Sequence, residues 1–157
     1  MNTELNIFLK KKILIYGLGK SGLSAFRFLD NKSNVFLFDD FQLTIKNSNI
    51  KKKLIDYKKV ISSKFDQIIL SPGIDLNKCK LSKFLKKNYS KIHSDLDIFY
   101  AFFKNDCITV TGTNGKSTTC HLLYEIFLNQ KFDVRLVGNI GNPLLSVDKI
   151  KFESFDK

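Results

Sequence analysis

Thr111-Gly112-Thr113-Asn114-Gly115-Lys116-Ser117-Thr118 is the stretch of this sequence best equipped for chemistry. Glycines at 112 and 115 let backbone N–H groups turn toward an anion. Lys116 is placed to reach the β- and γ-phosphates of a nucleotide. Ser117, or Thr118 beside it, can ligate Mg²⁺ through its hydroxyl. The strict G-x-x-x-x-G-K-[ST] pattern would need glycine at 110, where Val110 stands, so the match is to the shorter G-x-x-G-K-[ST] form. A second glycine pattern lies far upstream, Gly17-Leu18-Gly19-Lys20-Ser21-Gly22, which is G-x-G-x-x-G. Asp39 follows at the spacing that a dinucleotide-binding turn uses for its ribose acid. Alone, the second pattern says only that a nucleotide diphosphate or its mimic could sit there. A tight structural turn is the plainer alternative.

Both patterns require a strand before them and a helix after them, and the sequence supplies these. Residues 12–16, KILIY, read as a buried strand ending at Gly17. Residues 21–30 carry apolar groups at helical spacing. Residues 34–38, NVFLF, make a second strand that ends at Asp39-Asp40, and 67–70, QIIL, a third that stops at Ser71-Pro72-Gly73. The lysine-rich stretch 41–66 carries no clear pattern. Residues 81–88 read as a helix. Another runs from Asp95 to about Lys104, with Ser94 placed to cap it.

The pattern then restarts. Residues 107–111, CITVT, are rich in β-branched side chains and read as a buried strand. The phosphate loop follows, then a helix over 117–129 and a strand over 133–137, DVRLV, that leads into Gly138-Asn139-Ile140-Gly141. Such alternation predicts an α/β chain with parallel sheets. The reading is a Rossmann-like sheet over residues 1–92, followed over 93–157 by the beginning of a P-loop α/β domain. With only two strands, the second unit is too small for a doubly wound sheet and reads as incomplete.

Composition narrows the function classes. Hydrophobic residues make up 43% of the 157, enough for a packed core. No apolar run approaches the roughly 18 residues a membrane span needs. The start, MNTELNIFLKKK, has the wrong order for a secretory signal, which points to a cytoplasmic protein. Cys79, Cys107 and Cys120 form no C-x-x-C pair and read as reduced thiols. The net charge is +11, but all the basic residues except Arg27 and Arg135 are lysine. Arginine is the expected reader of base edges, so a solvated lysine surface is favoured over nucleic-acid binding.

Four segments together carry a family likeness: YGLGKSG (16–22), LSPGI (70–74), TVTGTNGKST (109–118) and VGNIG (137–141), with SDLDIFY (94–100) between them. The chain resembles the Mur ligases, and within them the branch that adds D-glutamate to UDP-N-acetylmuramoyl-L-alanine. The branch that adds L-alanine usually has histidine where Asn114 stands. The folylpolyglutamate ligases place glycine between the lysine and the serine and lack the first domain.

The resemblance implies that the first domain binds the UDP part of the substrate rather than NAD. Gly17, Gly19, Lys20, Ser21, Gly22 and Gly73 would line that site, with Asp39 near the uracil and Asn139 near the diphosphate. The family often has a basic residue two places after that acid; here it is Phe41. Gly112 through Thr118 would hold ATP, and Ser117 or Thr118 the Mg²⁺. The implied reaction phosphorylates a carboxylate, and the amine of D-glutamate then attacks the acyl phosphate. Lys116 would neutralise charge on the transferred phosphoryl group. Full members have three domains and draw a glutamate, a histidine and a carbamylated lysine from later sequence, so the 157 residues alone are expected not to form the amide. His93 and His121 match no family ligand. The alternative is a nucleotide-binding module, NAD(P)-type or regulatory, without ligase activity.

Overall fold

The computed structural model of the chain describes residues 6–41, 47–138 and 142–146. Four parallel strands form one sheet in the order β2-β1-β3-β4. They are β1 (Lys12–Tyr16), β2 (Asn34–Phe38), β3 (Gln67–Leu70) and β4 (Ile92–His93). In register, Tyr16 lies beside Phe38 on one side and Leu70 on the other. The first three strands have the bounds that their apolar runs predict. The fourth is only two residues long, too short to leave a pattern.

The runs are continuous because the sheet is buried on both faces, as parallel sheets are. Alternation then splits them. Ile13, Ile15, Val35, Leu37 and Ile69 pack on one side against Ala25, Phe26 and Leu29 of α1 (Lys20–Leu29) and Ile98 and Phe99 of α5 (Asp95–Phe102). Leu14, Tyr16, Phe38 and Ile68 pack on the other, against Val60 and Leu85.

The unassigned stretch contains two short helices, α2 (Ser48–Lys53) and α3 (Tyr57–Ser62). Each starts on a side-chain cap, Asn47 for α2 and Asp56 for α3. Helix α4 (Ser82–Lys87) follows, buried through Leu85. Ser94 caps α5 in a reciprocal box: its hydroxyl accepts from the Asp97 N–H, and the Asp97 carboxylate accepts from the Ser94 N–H at 2.7 Å.

The second unit departs from expectation. Helix α6 (Lys116–Asn129) is present, but residues 107–111 and 133–137 form no strands, and Ile108 is 64% exposed. The nearest approach to a ladder is an isolated bridge from Val137 to Asn142. The physical reason is that β-propensity needs a neighbour. A β-branched segment gains little until another strand satisfies its N–H and C=O groups. No strand among the described residues pairs with either segment, and α6 has no buried residue. After it, the 144–146 turn returns to α1 and α5, and Leu145 is buried there.

Candidate functional site

The first glycine loop sits at the carboxyl end of β1, where the fold brings three strand ends together. Gly17 has φ +93°, which favours glycine. Its N–H donates to the Phe38 carbonyl at 2.9 Å. Its own carbonyl accepts from Ser71 Oγ at 2.6 Å. The next N–H, of Leu18, donates to Asp39 Oδ2 at 2.6 Å, while Asp39 Oδ1 accepts from the Phe41 N–H at 3.0 Å. Gly22, one turn into α1, lies against this corner: a Cβ there would stand 1.9 Å from the Gly17 carbonyl oxygen. Glycine is therefore required at 17 and 22 by conformation and contact.

The residues that face outward differ. Gly19 and Lys20 are exposed, and nothing lies within 4 Å of a Cβ added at Gly19. The first N–H groups of α1 have no partner within the helix and carry its partial positive charge. Ser21 is half-buried beside them, and Gly73 lies exposed on the turn that follows β3. Phe41, 78% exposed, stands at the lip beyond Asp39. Gly17, Gly19, Lys20, Ser21, Gly22 and Asp39 thus belong to one corner. Asn139 lies outside the described residues.

Beneath that corner is a polar group of another kind. The Tyr16 hydroxyl and Asp40 Oδ1 are buried without a hydrogen-bond partner among the described residues. Burial, then the neighbouring Asp40 carboxylate and Cys79 thiol, push the tyrosine far above its ordinary range. Lys80 closes over this spot, its backbone N–H on Asp40 Oδ2 at 3.3 Å and its amine on the Asp40 carbonyl.

The second loop is built by local means. Gly112 (φ +145°) and Gly115 (φ +74°) supply the turn, and Gly115 is the cap of α6. Lys116 folds back, its amine bonding the Gly112 carbonyl and the Thr113 carbonyl, the latter at 3.2 Å. The lysine amine therefore lies over the turn, against its carbonyls. Thr113, Asn114, Ser117 and Thr118 are exposed around it. The open space at Gly115, the helix N-terminus and the lysine fit a phosphate group. Mg²⁺ fits this donor set only together with phosphate oxygens and water, because a hydroxyl is one ligand of an octahedral shell. Among the described residues no three His, Cys, Asp or Glu side chains come together to hold a metal. A cleft of about 460 Å³ lies along the apolar flank of α6, lined by Val110, Leu123, Phe127, Phe132 and Leu136.

Ser71 is the functional candidate that the sequence reading passes over. It appears there only as part of a strand stop. Its partner Gly17 is distant in the chain, so no local signal marks the contact.

Comparison with known proteins covers both units. The family model described as Mur ligase MurD-like, N-terminal domain, matches residues 11–93. The chain is 36% identical over 154 residues to the UDP-N-acetylmuramoylalanine–D-glutamate ligase of Rickettsia felis, covering 94% of this chain and 33% of that protein. The ligase of the same name from Rickettsia prowazekii is 37% identical over 148 residues, covering 90% of this chain and 32% of its own length. That from Lachnoclostridium phytofermentans is 36% identical over 152 residues, covering 90% and 33%. The chain spans about a third of the length of these curated relatives. With the family's N-terminal domain matched over more than half of its residues, on a glycine-loop corner built from three parallel strand ends, the chain belongs to the MurD-like Mur ligases.

Proposed function

We propose that this chain carries the UDP-substrate-binding domain, and the ATP-binding loop, of a ligase that adds D-glutamate to UDP-N-acetylmuramoyl-L-alanine in cytoplasmic cell-wall precursor synthesis. The observation that carries the reading is the pairing of two glycine loops in a chain whose relatives bear that ligase's name. A redox Rossmann protein needs no phosphate loop, and a simple P-loop ATPase needs no G-x-G-x-x-G domain before it.

In this reading the α1 N-terminus, Lys20 and Ser21 receive the diphosphate of the UDP substrate. Gly73 and Asn139 border it, and Asp39 and Phe41 lie toward the base. Lys116 leaves the Gly112 and Thr113 carbonyls to bind the terminal phosphates of ATP, the backbone of Gly112–Gly115 cradles them, and Ser117 or Thr118 supplies a hydroxyl ligand for Mg²⁺. The metal, when bound, supplies charge neutralisation for phosphoryl transfer. Lys116 is the catalytic residue of this stretch, because the developing negative charge on the transferred group needs a fixed cation beside it. The products are the amide, ADP and phosphate, an ADP-forming ligation of the whole protein.

Calorimetric titration with UDP-N-acetylmuramoyl-L-alanine tests the first site. Saturable binding that Lys20→Glu abolishes supports the reading. Tight binding of NADH that the UDP-sugar fails to displace would instead make the chain a dinucleotide-binding module.

A further inference from the structure

A loop that binds anions must point N–H groups outward and keep its carbonyls away, and a strand-to-helix turn does not do so by itself. In the first glycine loop the sorting is done by two side chains from other strands. Ser71, at the end of β3, holds the Gly17 carbonyl at 2.6 Å through its hydroxyl. Asp39, at the end of β2, holds the Leu18 N–H at 2.6 Å. Both anchors are themselves fixed. Ser71 donates its backbone N–H to the Tyr16 carbonyl at 3.0 Å, and its carbonyl accepts from the Ile74 N–H at 3.0 Å. The second oxygen of Asp39 holds the Phe41 N–H. The N–H groups of Gly17 and Leu18 are thus already engaged, and the carbonyl of Gly17 is turned inward.

We propose that Ser71 and Asp39 are positioning residues of this loop, clamping Gly17 and Leu18 from two sides so that diphosphate recognition is left to the N–H groups of Gly19, Lys20 and Ser21 and to the Lys20 amine. The proposal rests on the UDP-substrate reading and refines it. Gly17 shapes the turn without contacting the ligand. Asp39 acts through the Leu18 amide, whatever else its remaining lone pairs accept. The contacts of Gly22 follow from the same clamp: an added Cβ would meet Ser71 Oγ at 2.7 Å as well as the Gly17 oxygen. Ser71 hydroxyl, Gly17 carbonyl and Gly22 Cα therefore form one close-packed joint, and loosening it moves the start of α1.

The test titrates the full chain with UDP by calorimetry and with uridine by NMR, in the native sequence and in Ser71→Ala and Asp39→Ala. Losing one positioning hydrogen bond is expected to weaken UDP roughly tenfold. In Ser71→Ala, uridine affinity is expected to stay unchanged, because uridine lacks the diphosphate and Ser71 holds the Gly17 carbonyl. Equal loss for UDP and uridine in Ser71→Ala would mean that the clamp merely supports the fold and would overturn the proposal. So would unchanged UDP affinity in both variants. Amide hydrogen exchange supplies an independent reading. The Leu18 N–H is expected to exchange faster in Asp39→Ala while the Ile15 N–H does not, and an unchanged Leu18 rate overturns the clamp even where a variant binds nothing. If the native chain binds no UDP at all, the UDP reading fails, and the Leu18 exchange rate still decides whether Asp39 positions the loop.

Discussion

The two glycine loops of this chain have related sequences and unlike supports. The first is held by groups far away in the chain: Phe38, Asp39 and Ser71 all reach it from other strands. The second is held by itself, since Lys116 bonds the carbonyls of Gly112 and Thr113 within the same turn. The first stands on a sheet whose residues Ile13, Leu14 and Ile15 have no exposed surface. The second stands on α6, where Leu122 is 60% and Ile126 51% exposed. Motif spacing sets the chemistry a loop can attempt, whereas the sheet beneath it sets how firmly that chemistry is presented.

Core truncation gives the strongest contrast. Ile15→Ala removes a fully buried side chain between α1 and α5, and should cost about 4 kcal/mol in urea unfolding. Leu122→Ala on α6 should stay within about 0.5 kcal/mol. Equal costs would mean that the two units share one level of support. Glycine substitution sharpens the comparison at the loops. Gly22→Ala pushes a methyl into the Gly17 carbonyl and should cost about 3 kcal/mol. Gly115→Ala meets only the strain of φ +74° in open space, about 1 kcal/mol. A Gly22→Ala as mild as Gly115→Ala would refute the close joint at the first loop.

Titration probes the first unit from two of its strands. His93 lies in β4, its Nε2 2.7 Å from Gln67 Oε1. Burial lowers its pKa from 6.5 despite the opposing pull of Asp97. The unfolded chain therefore takes up this proton more readily than the folded one. Stability should be intact above pH 6.5 and decline as pH falls below it, and His93→Gln should flatten that part of the curve. Tyr16 works in the opposite direction. Its pKa is raised above 10.0, so its contribution is complete below that pH and is lost as the solution becomes more alkaline. Tyr16→Phe removes a buried hydroxyl that has no hydrogen-bond partner among the described residues. The expected change at neutral pH is within about 1 kcal/mol, with the alkaline decline reduced. Should Tyr16→Phe cost several kcal/mol, the hydroxyl must have a strong partner after all.

Strands β1, β2 and β3 were legible because each is an apolar run closed by a glycine, an acid or Ser-Pro-Gly. Helix α5 was legible because Ser94 and Asp97 form its cap within four residues. Helices α2 and α3 were not, since each buries a single residue, Ile50 or Val60, among lysines. Residues 107–111 and 133–137 were legible as strand material, but pairing depends on a neighbour, and local sequence cannot specify one. The same divide runs through the site. Glycine spacing located the first loop and placed Asp39 beside it. It did not reveal that Asp39 holds the Leu18 amide, nor that Ser71 reaches back to Gly17, because both contacts exist only once the sheet has closed.

Leu145 carries a mechanical consequence. The chain leaves the first core after α5, whose Ile98 and Phe99 are buried in it, and comes back to the same core at Leu144 and Leu145. The second glycine loop and α6 are therefore tethered at both ends to one anchor. A double tether confines the excursion of what it carries and raises the effective concentration of one bound ligand near the other. Two nucleotides gripped by separate loops of this chain would meet as members of one molecule, and shortening or loosening the return at Leu145 would change how often they meet before it changed how tightly either is held.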